Sequence, residues 1–366
     1  MSDAAKGGGW LGAVGKLVHA VEDVVDGAKE AVGRHVDKRR PARIVPYRGY
    51  GTKERVWVTG RVLRDLPLPT SREDATLWEN ALSTWRRFES DEVPNALVKL
   101  KAGEVETTVC CDEEGFFDAW VPTAGTVPLG THWHAVEATL VHPRDDGTPA
   151  GPTILPVLVP PDDAPLGIIS DIDDTVVQTG VKEFLTMART VFLGNARTRL
   201  PFEGVAELYT ALQAGASGAA GNPIFYVSSS PWNFYELLVE FFELQKIPLG
   251  PVMLRDWGVT ADELLPTGHS NHKRQAIDRI LATYPTRPFL LIGDSGQEDP
   301  EIYAQVMRDF PGRIVAAYIR SVDRAETRIA AIRHLATETA RTGGVLILAD
   351  DTAAVFRDAR ERGWIK

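Results

Sequence analysis

Three carboxylates follow a short apolar run in Ile168-Ile169-Ser170-Asp171-Ile172-Asp173-Asp174-Thr175. The run reads as a buried strand, and ligands gather beyond the carboxyl ends of strands in α/β sheets. Asp171 and Asp173 are two residues apart, so an extended chain turns them to one face. Crowded carboxylates repel, and a hard cation such as Mg²⁺ relieves the repulsion. Asp174 is suited to bracing the turn and Thr175 to local hydrogen bonding.

Three further stretches carry chemistry. Phe225-Tyr226-Val227-Ser228-Ser229-Ser230-Pro231 is a strand end rich in hydroxyls, and its Ser230-Pro231 pair also reads as a helix N-cap with proline in the first turn. Lys273 precedes the periodic segment Ala276, Ile277, Ile280, Leu281. Phe289-Leu290-Leu291-Ile292-Gly293-Asp294 is another apolar strand ending in an acid, followed closely by Asp299-Pro300. Each has a plainer reading. Asp299 before proline has the pattern of a helix start, Ser229 competes with Ser228 for the strand end, and Lys273 alone would be a surface lysine. Asp350-Asp351-Thr352 also follows an apolar run, but no other motif is ordered around it, so it reads as a turn and helix start.

Taken in order, Asp-x-Asp-x-Thr, a strand-end serine, a lysine and an acidic pair after glycine resemble the four motifs of the haloacid-dehalogenase superfamily. More closely, residues 226–233, His272-Lys273 and residues 293–303 resemble the App1-type phosphatidate phosphatase family over roughly Val159–Tyr318, and the preceding β-rich region is also similar to bacterial members. The resemblance implies a Mg²⁺-dependent phosphatase acting on a phosphomonoester, with phosphatidate the substrate of the characterised fungal member. It implies Asp171 as nucleophile and metal ligand, and Asp173 as the acid and base that also ligates through its backbone carbonyl. Ser228 and Lys273 would hold phosphoryl oxygens, Asp294 would bind the metal, and Asp299 would support Lys273 or the metal shell. The implied metal set is therefore Asp171, Asp173 and Asp294.

The elements that must position these residues alternate. Leu166–Ser170, Ile224–Ser228, Phe289–Ile292, Ile314–Ile319 and Val345–Leu348 read as buried strands separated by helical segments, which argues for a mostly parallel sheet with helices on both faces. With the resemblance, this is an α/β fold of the haloacid-dehalogenase, Rossmann-like kind, spanning residues 161–366. Ala211–Gly221 reads as a mobile Gly/Ala-rich loop. The apolar set Val181, Phe184, Leu185, Met187, Ala188, Val191, Phe192 and Leu193 reads as a helix packed on the sheet or as one wall of an acyl-chain groove. Upstream, Val56–Val62, Glu104–Cys110, Phe116–Val121, His132–Val141 and Ile154–Val159 read as strands of a small β-sandwich-like domain, residues 43–160, with a helical insertion around Trp78–Phe88. His132 and His134 would share a face there, without an evident third ligand.

Residues 1–42 read as an amphipathic helix, Trp10–Val36, and a basic linker. Between Arg34 and Arg64 stand ten Lys/Arg against Asp37 and Glu54. The helix is expected either to dock on the protein or self-associate, or to lie at an anionic membrane surface through residues 10–40. Nucleic acid is not an expected partner, because aromatics are not interleaved with the basic residues, and the oligomeric state is left open. The composition, 44% hydrophobic and 25% charged, excludes a wholly disordered chain. The adjacent Cys110 and Cys111 cannot staple the fold and are expected to be reduced. Without a secretory signal or a bilayer-long apolar run, the expected location is cytoplasmic, with a peripheral contact at the inner membrane face as a further expectation. The competing functional readings are a phosphatase for a soluble phosphoester or nucleic-acid end, and a non-catalytic protein that binds through its β-rich domain.

Overall fold

The computed structural model describes residues 41–64, 91–125, 132–144, 147–149, 151–176, 202–255 and 268–366. The expected N-terminal helix, the Trp78–Phe88 insertion and the apolar 181–193 stretch lie outside the described residues. Ala42–Arg144 with Thr148–Lys366 form one compact unit; Met1–Pro41 with Asp145–Gly147 lies almost wholly outside the described residues. Among the described residues no helix is long and apolar enough to cross a membrane.

Among the described residues nine strands make up the first sheet: β1 (Ala42–Pro46), β2 (Gly49–Gly51), β3 (Arg55–Arg64), β4 (Asp91–Glu92), β5 (Leu97–Ala102), β6 (Val105–Cys110), β7 (Phe116–Pro122), β8 (Trp133–His142) and β9 (Thr153–Leu158). Where a sandwich of two sheets is expected, hydrogen bonding joins all nine into one mixed sheet, because β3 pairs with β1, β2, β4 and β7. The sheet encloses its own core, in which Val56, Val58 and Val62 meet Val98, Leu100, Phe117, Val136, Leu155 and Val157. Alternation explains it: β5 buries Val98, Leu100 and Ala102 and turns Lys99 and Lys101 outward. Cys110 is exposed, Cys111 is buried, and neither forms a disulfide.

Among the described residues the second sheet is wholly parallel. Its strands are β10 (Gly167–Asp171), β11 (Ile224–Pro231), β12 (Val252–Arg255), β13 (Phe289–Asp294), β14 (Ile314–Arg320) and β15 (Leu346–Ala349), in the order β12-β11-β10-β13-β14-β15. The first strand thus sits centrally, where the chain order reverses, which is where open α/β sheets place ligands. Successive residues feed opposite faces. Ile168, Tyr226, Leu290 and Tyr318 pack with helices α1 (Val205–Ala214), α2 (Tyr235–Leu244) and α6 (Thr352–Glu361). Ile169, Phe225, Leu291 and Ile319 pack with α3 (Gly268–Thr283), α4 (Asp299–Asp309) and α5 (Glu326–Arg341). Ala211–Ala214 belong to α1, so the Gly/Ala-rich loop expected from residue 211 begins at Gly215; alanines support a helix until a residue with positive φ ends it, and Gly215 has φ 64°. Asp351 caps α6, accepting from Ala354 N at 2.7 Å, as its sequence pattern indicates.

Aromatic packing joins the two sheets. Tyr50 of β2 lies 5.3 Å from Phe225 of β11, and Phe225 lies 5.7 Å from Tyr284 and 6.2 Å from Phe289. The Tyr284 hydroxyl donates to the Gly51 carbonyl at 3.0 Å. Truncating fully buried Phe225 removes a side chain that both sheets share. Phe225→Ala should therefore cost about 3–5 kcal/mol. Urea unfolding followed by tryptophan fluorescence and by far-UV circular dichroism should shift together; a shift in one signal alone would show that the sheets unfold independently.

Candidate active site

The site forms where β10, β11 and β13 end. Register pairs Asp171 with Val227 on one side and Ser170 with Ile292 on the other, so Ser228 and Asp294 emerge beside the Asp171–Thr175 turn. Ser170 does not face the site. Its hydroxyl lies 2.5 Å from the Tyr209 hydroxyl and 2.6 Å from the Asp171 carbonyl, tying the strand end to α1. Asp174 takes a positive φ of 56°, a conformation aspartate tolerates better than most residues and one that turns the chain sharply after Asp173.

Asp171, Asp294 and Asp299 are buried together, with one carboxylate oxygen from each lying within 4.8 Å of the others. Lys273, from α3, reaches into this group: Nζ donates to Asp299 Oδ1 at 2.6 Å and stands 2.8 Å from Asp171 Oδ1. A longer bond of 3.4 Å joins Nζ to Gln297 Oε1. Asp299 Oδ2 accepts from the Asp294 backbone at 3.2 Å, so Asp299 begins α4 and orients Lys273 as well.

Asp173 faces a different set of partners. Its Oδ2 accepts from Ser228 Oγ at 2.6 Å and from Ser230 Oγ at 3.1 Å. The Ser228 Oγ also accepts from the Ser230 backbone at 2.9 Å. The Ser-Pro pair is thus no helix cap. β11 runs on through Pro231, a 3₁₀ turn follows at Trp232–Phe234, and the Ser230 side chain is engaged by Asp173 instead of the turn's free N–H groups. Sequence reasoning passed over Ser230, although its separation of two from Ser228 on a strand was the available signal. Of the expected residues, the structure gathers Asp171, Lys273, Asp294 and Asp299 into one buried cluster, and it sets Asp173 and Ser228 together at its side.

Hydrogen bonds tie down the end of β13 and the loop that follows it to Glu298. Asp294 Oδ1 accepts from the backbone of Gly296 at 2.5 Å and of Gln297 at 3.0 Å. Arg328 of α5 donates to the carbonyls of Ser295 at 2.8 Å and Gln297 at 2.5 Å, and to Glu301 Oε1 at 2.5 Å. Gly293 permits the close approach: a Cβ there would fall 2.4 Å from Asp299 Oδ2 and 2.8 Å from the Tyr303 ring. The arginine lay beyond the sequence signals, since its role comes from packing, whereas the glycine belongs to the motif read from the sequence.

Asp171 Oδ2 and Asp294 Oδ2 are buried with no hydrogen-bond partner. Two orphaned carboxylate oxygens beside a third acid suit a hard divalent cation, which takes oxygen ligands and offsets their charge. Without one, burial raises Asp171 well above the carboxylate range; Lys273 opposes this, while Asp299, Asp294 and Asp173 add to it. Burial and then Asp299 push Asp294 up to about 7. Burial alone would lower Lys273, but Asp171 and Asp299 outweigh it and keep the ammonium protonated.

Comparison with known proteins bears on the segment that holds Asp171, Asp173, Ser228, Ser230, Lys273, Asp294 and Asp299. Residues 166–321 match the family model of the phosphatidate phosphatase APP1 catalytic domain. This segment is homologous to that family. "Phosphatidate phosphatase APP1" of Saccharomyces cerevisiae is 36% identical over 156 residues, which is 42% of this chain and 26% of that protein. An uncharacterised protein of Schizosaccharomyces pombe is 30% identical over 259 residues, 67% of this chain and 40% of that protein. The chain therefore spans well under half the length of these curated relatives. Among solved structures, a carbohydrate acetylesterase from Xanthomonas citri aligns over 83% of this chain and 68% of its own, at 12% identity and a TM-score of 0.29, too low to carry an argument.

The raised carboxyls generate a pH prediction. Unfolded, Asp294 would titrate near 3.8, whereas in the metal-free fold it keeps its proton up to about pH 7. Between those values the native state binds more protons than the unfolded chain, so metal-free stability falls as pH rises. A divalent cation displaces the protons and reverses the loss. Thermal unfolding in EDTA and in MgCl₂ should therefore show a stabilising increment that is small near about pH 5 and large near about pH 8. An increment independent of pH would contradict binding at this cluster.

Proposed function

We propose that this chain is a Mg²⁺-dependent phosphomonoester phosphatase of the haloacid-dehalogenase kind, working through an aspartyl-phosphate on Asp171, with phosphatidate as substrate. The observation that carries it is Lys273 set between Asp171 and Asp299 in a buried acidic cluster at parallel strand ends. The lipid substrate is supported by the homology of residues 166–321. Residues 10–40 would add contact with an anionic membrane surface.

The chemistry needs an oxygen nucleophile, a proton donor and cationic stabilisation of the transferring group. An Asp171 oxygen bonds to phosphorus as the ester P–O bond breaks. Asp173 gives its proton to the departing oxygen, releasing the alcohol. In the second half, Asp173 takes a proton from water, the water oxygen bonds to phosphorus, and the Asp171–phosphorus bond breaks. Lys273 would face the non-bridging oxygens and Ser228 would turn its one hydroxyl proton from Asp173 to them, while Ser230 keeps its hold on Asp173. Asp171, Asp294 and Asp299, with the Asp173 carbonyl as a further donor, would hold the Mg²⁺, which would supply positive charge to the phosphoryl group.

The test is a phosphate-release screen with Mg²⁺, setting phosphatidate in mixed micelles beside soluble phosphomonoesters. Phosphatidate should be hydrolysed, EDTA should stop the reaction, and Asp171→Asn should lower kcat by roughly 10³ or more while the fold is retained. Parent-like turnover by Asp171→Asn would sink the mechanism. Release from soluble esters alone would move the substrate class. Release from no ester would favour the non-catalytic reading.

A further inference from the structure

The β-rich sheet reaches the turn that follows the site serines. Arg61 of β3 is buried, its side chain 5% exposed. Its Nη1 donates to Asn233 Oδ1 at 3.1 Å, its Nε to the Glu114 carbonyl at 2.8 Å and its Nη2 to Glu92 Oε1 at 2.8 Å. The guanidinium lies 4.2 Å over the Phe116 ring. Two more contacts hold the same turn. Tyr47 stacks on Trp232 with ring centres 4.6 Å apart and planes at 19°, and the Arg48 backbone donates to the Tyr235 hydroxyl at 2.7 Å.

A buried guanidinium is costly unless its donors are satisfied and its charge is offset. Here Glu92 and Glu114 offset the charge, at 2.8 and 3.7 Å, and the planar fork spreads its donors over the β-rich sheet and one α/β side chain. That side chain, Asn233, stands three residues after Ser230. Only Pro231 and Trp232, where the strand passes into the 3₁₀ turn, lie between them, so the turn's position is passed directly to the serines that grip Asp173.

We infer that Arg61 and Asn233 are a positioning pair through which the β-rich sheet fixes Ser228 and Ser230 against Asp173, making that sheet part of the apparatus for leaving-group protonation. The inference rests on the reading of Asp173 as the proton donor. Both serine hydroxyls donate to Oδ2 here, and Ser230 keeps that bond when Ser228 turns to the phosphoryl group, which leaves Oδ1 to carry the transferred proton. Loosening the turn would let Asp173 rotate and lose its aim while Asp171, Lys273 and the metal cluster stay in place.

Leaving-group dependence separates this role from a merely structural one. An alkyl ester needs a proton on its departing oxygen, whereas p-nitrophenolate leaves without one. Asn233 is only half-buried, so its variants should fold, which thermal unfolding checks. Asn233→Leu should lower kcat on phosphatidate in mixed micelles by about tenfold or more and change kcat on p-nitrophenyl phosphate by less than about threefold. Asn233→Asp, which retains an acceptor for Arg61, should restore most of the loss. Equal losses on both substrates, or no loss on either, would overturn the inference while leaving the phosphatase reading intact. Parent protein that hydrolyses neither ester would overturn that reading, and the inference with it.

Discussion

The ammonium of Lys273, wedged between Asp171 and Asp299, is the contact on which the site depends. Three carboxylates and one ammonium are almost fully removed from water here, and one positive charge does not balance three negative ones. Such a group persists only with further compensation: backbone N–H groups on Asp294 Oδ1, the Asp294 backbone on Asp299, and a cation at the two orphaned oxygens. Metal binding is thus tied to the stability of the strand ends as well as to chemistry.

The rest of the architecture serves that constraint. Parallel pairing brings three strand ends to one rim, and the reversal of strand order at β10 leaves Asp171 central. Helix α3 approaches from one face to deliver Lys273, and from the same face α5 extends Arg328 to fix the loop that follows Asp294. The β-rich sheet packs Tyr50 against Phe225 and Tyr284, and extends Arg61 to Asn233 in the turn after the site serines.

Much of the α/β half was legible because its signals are local. Ile168-Ile169 before Asp171, and Leu290-Leu291-Ile292 before Gly293-Asp294, announce buried strands that end in acids. The β12 strand was missed because Val252–Arg255 is only four residues long and follows Gly250-Pro251, which reads as a turn. In the β-rich half, β2 is three residues and gains its place from pairing with β3 and β9. Ser230 was hidden by its proline, whose helix-start pattern lost to continued pairing, with Pro231 opposite Arg255. The bond between Arg61 and Asn233 crosses 172 positions and leaves no mark in either local sequence.

The central claim is that Asp171, relieved of charge by Lys273 and a cation, becomes covalently phosphorylated. Rapid acid quench during turnover, followed by borohydride reduction and peptide mass analysis, reads this directly, because an acyl phosphate on aspartate is reduced to homoserine. The account predicts homoserine at position 171, dependent on substrate and Mg²⁺. Active protein that gives no homoserine there, or carries its phosphoryl group on Ser228, would contradict it.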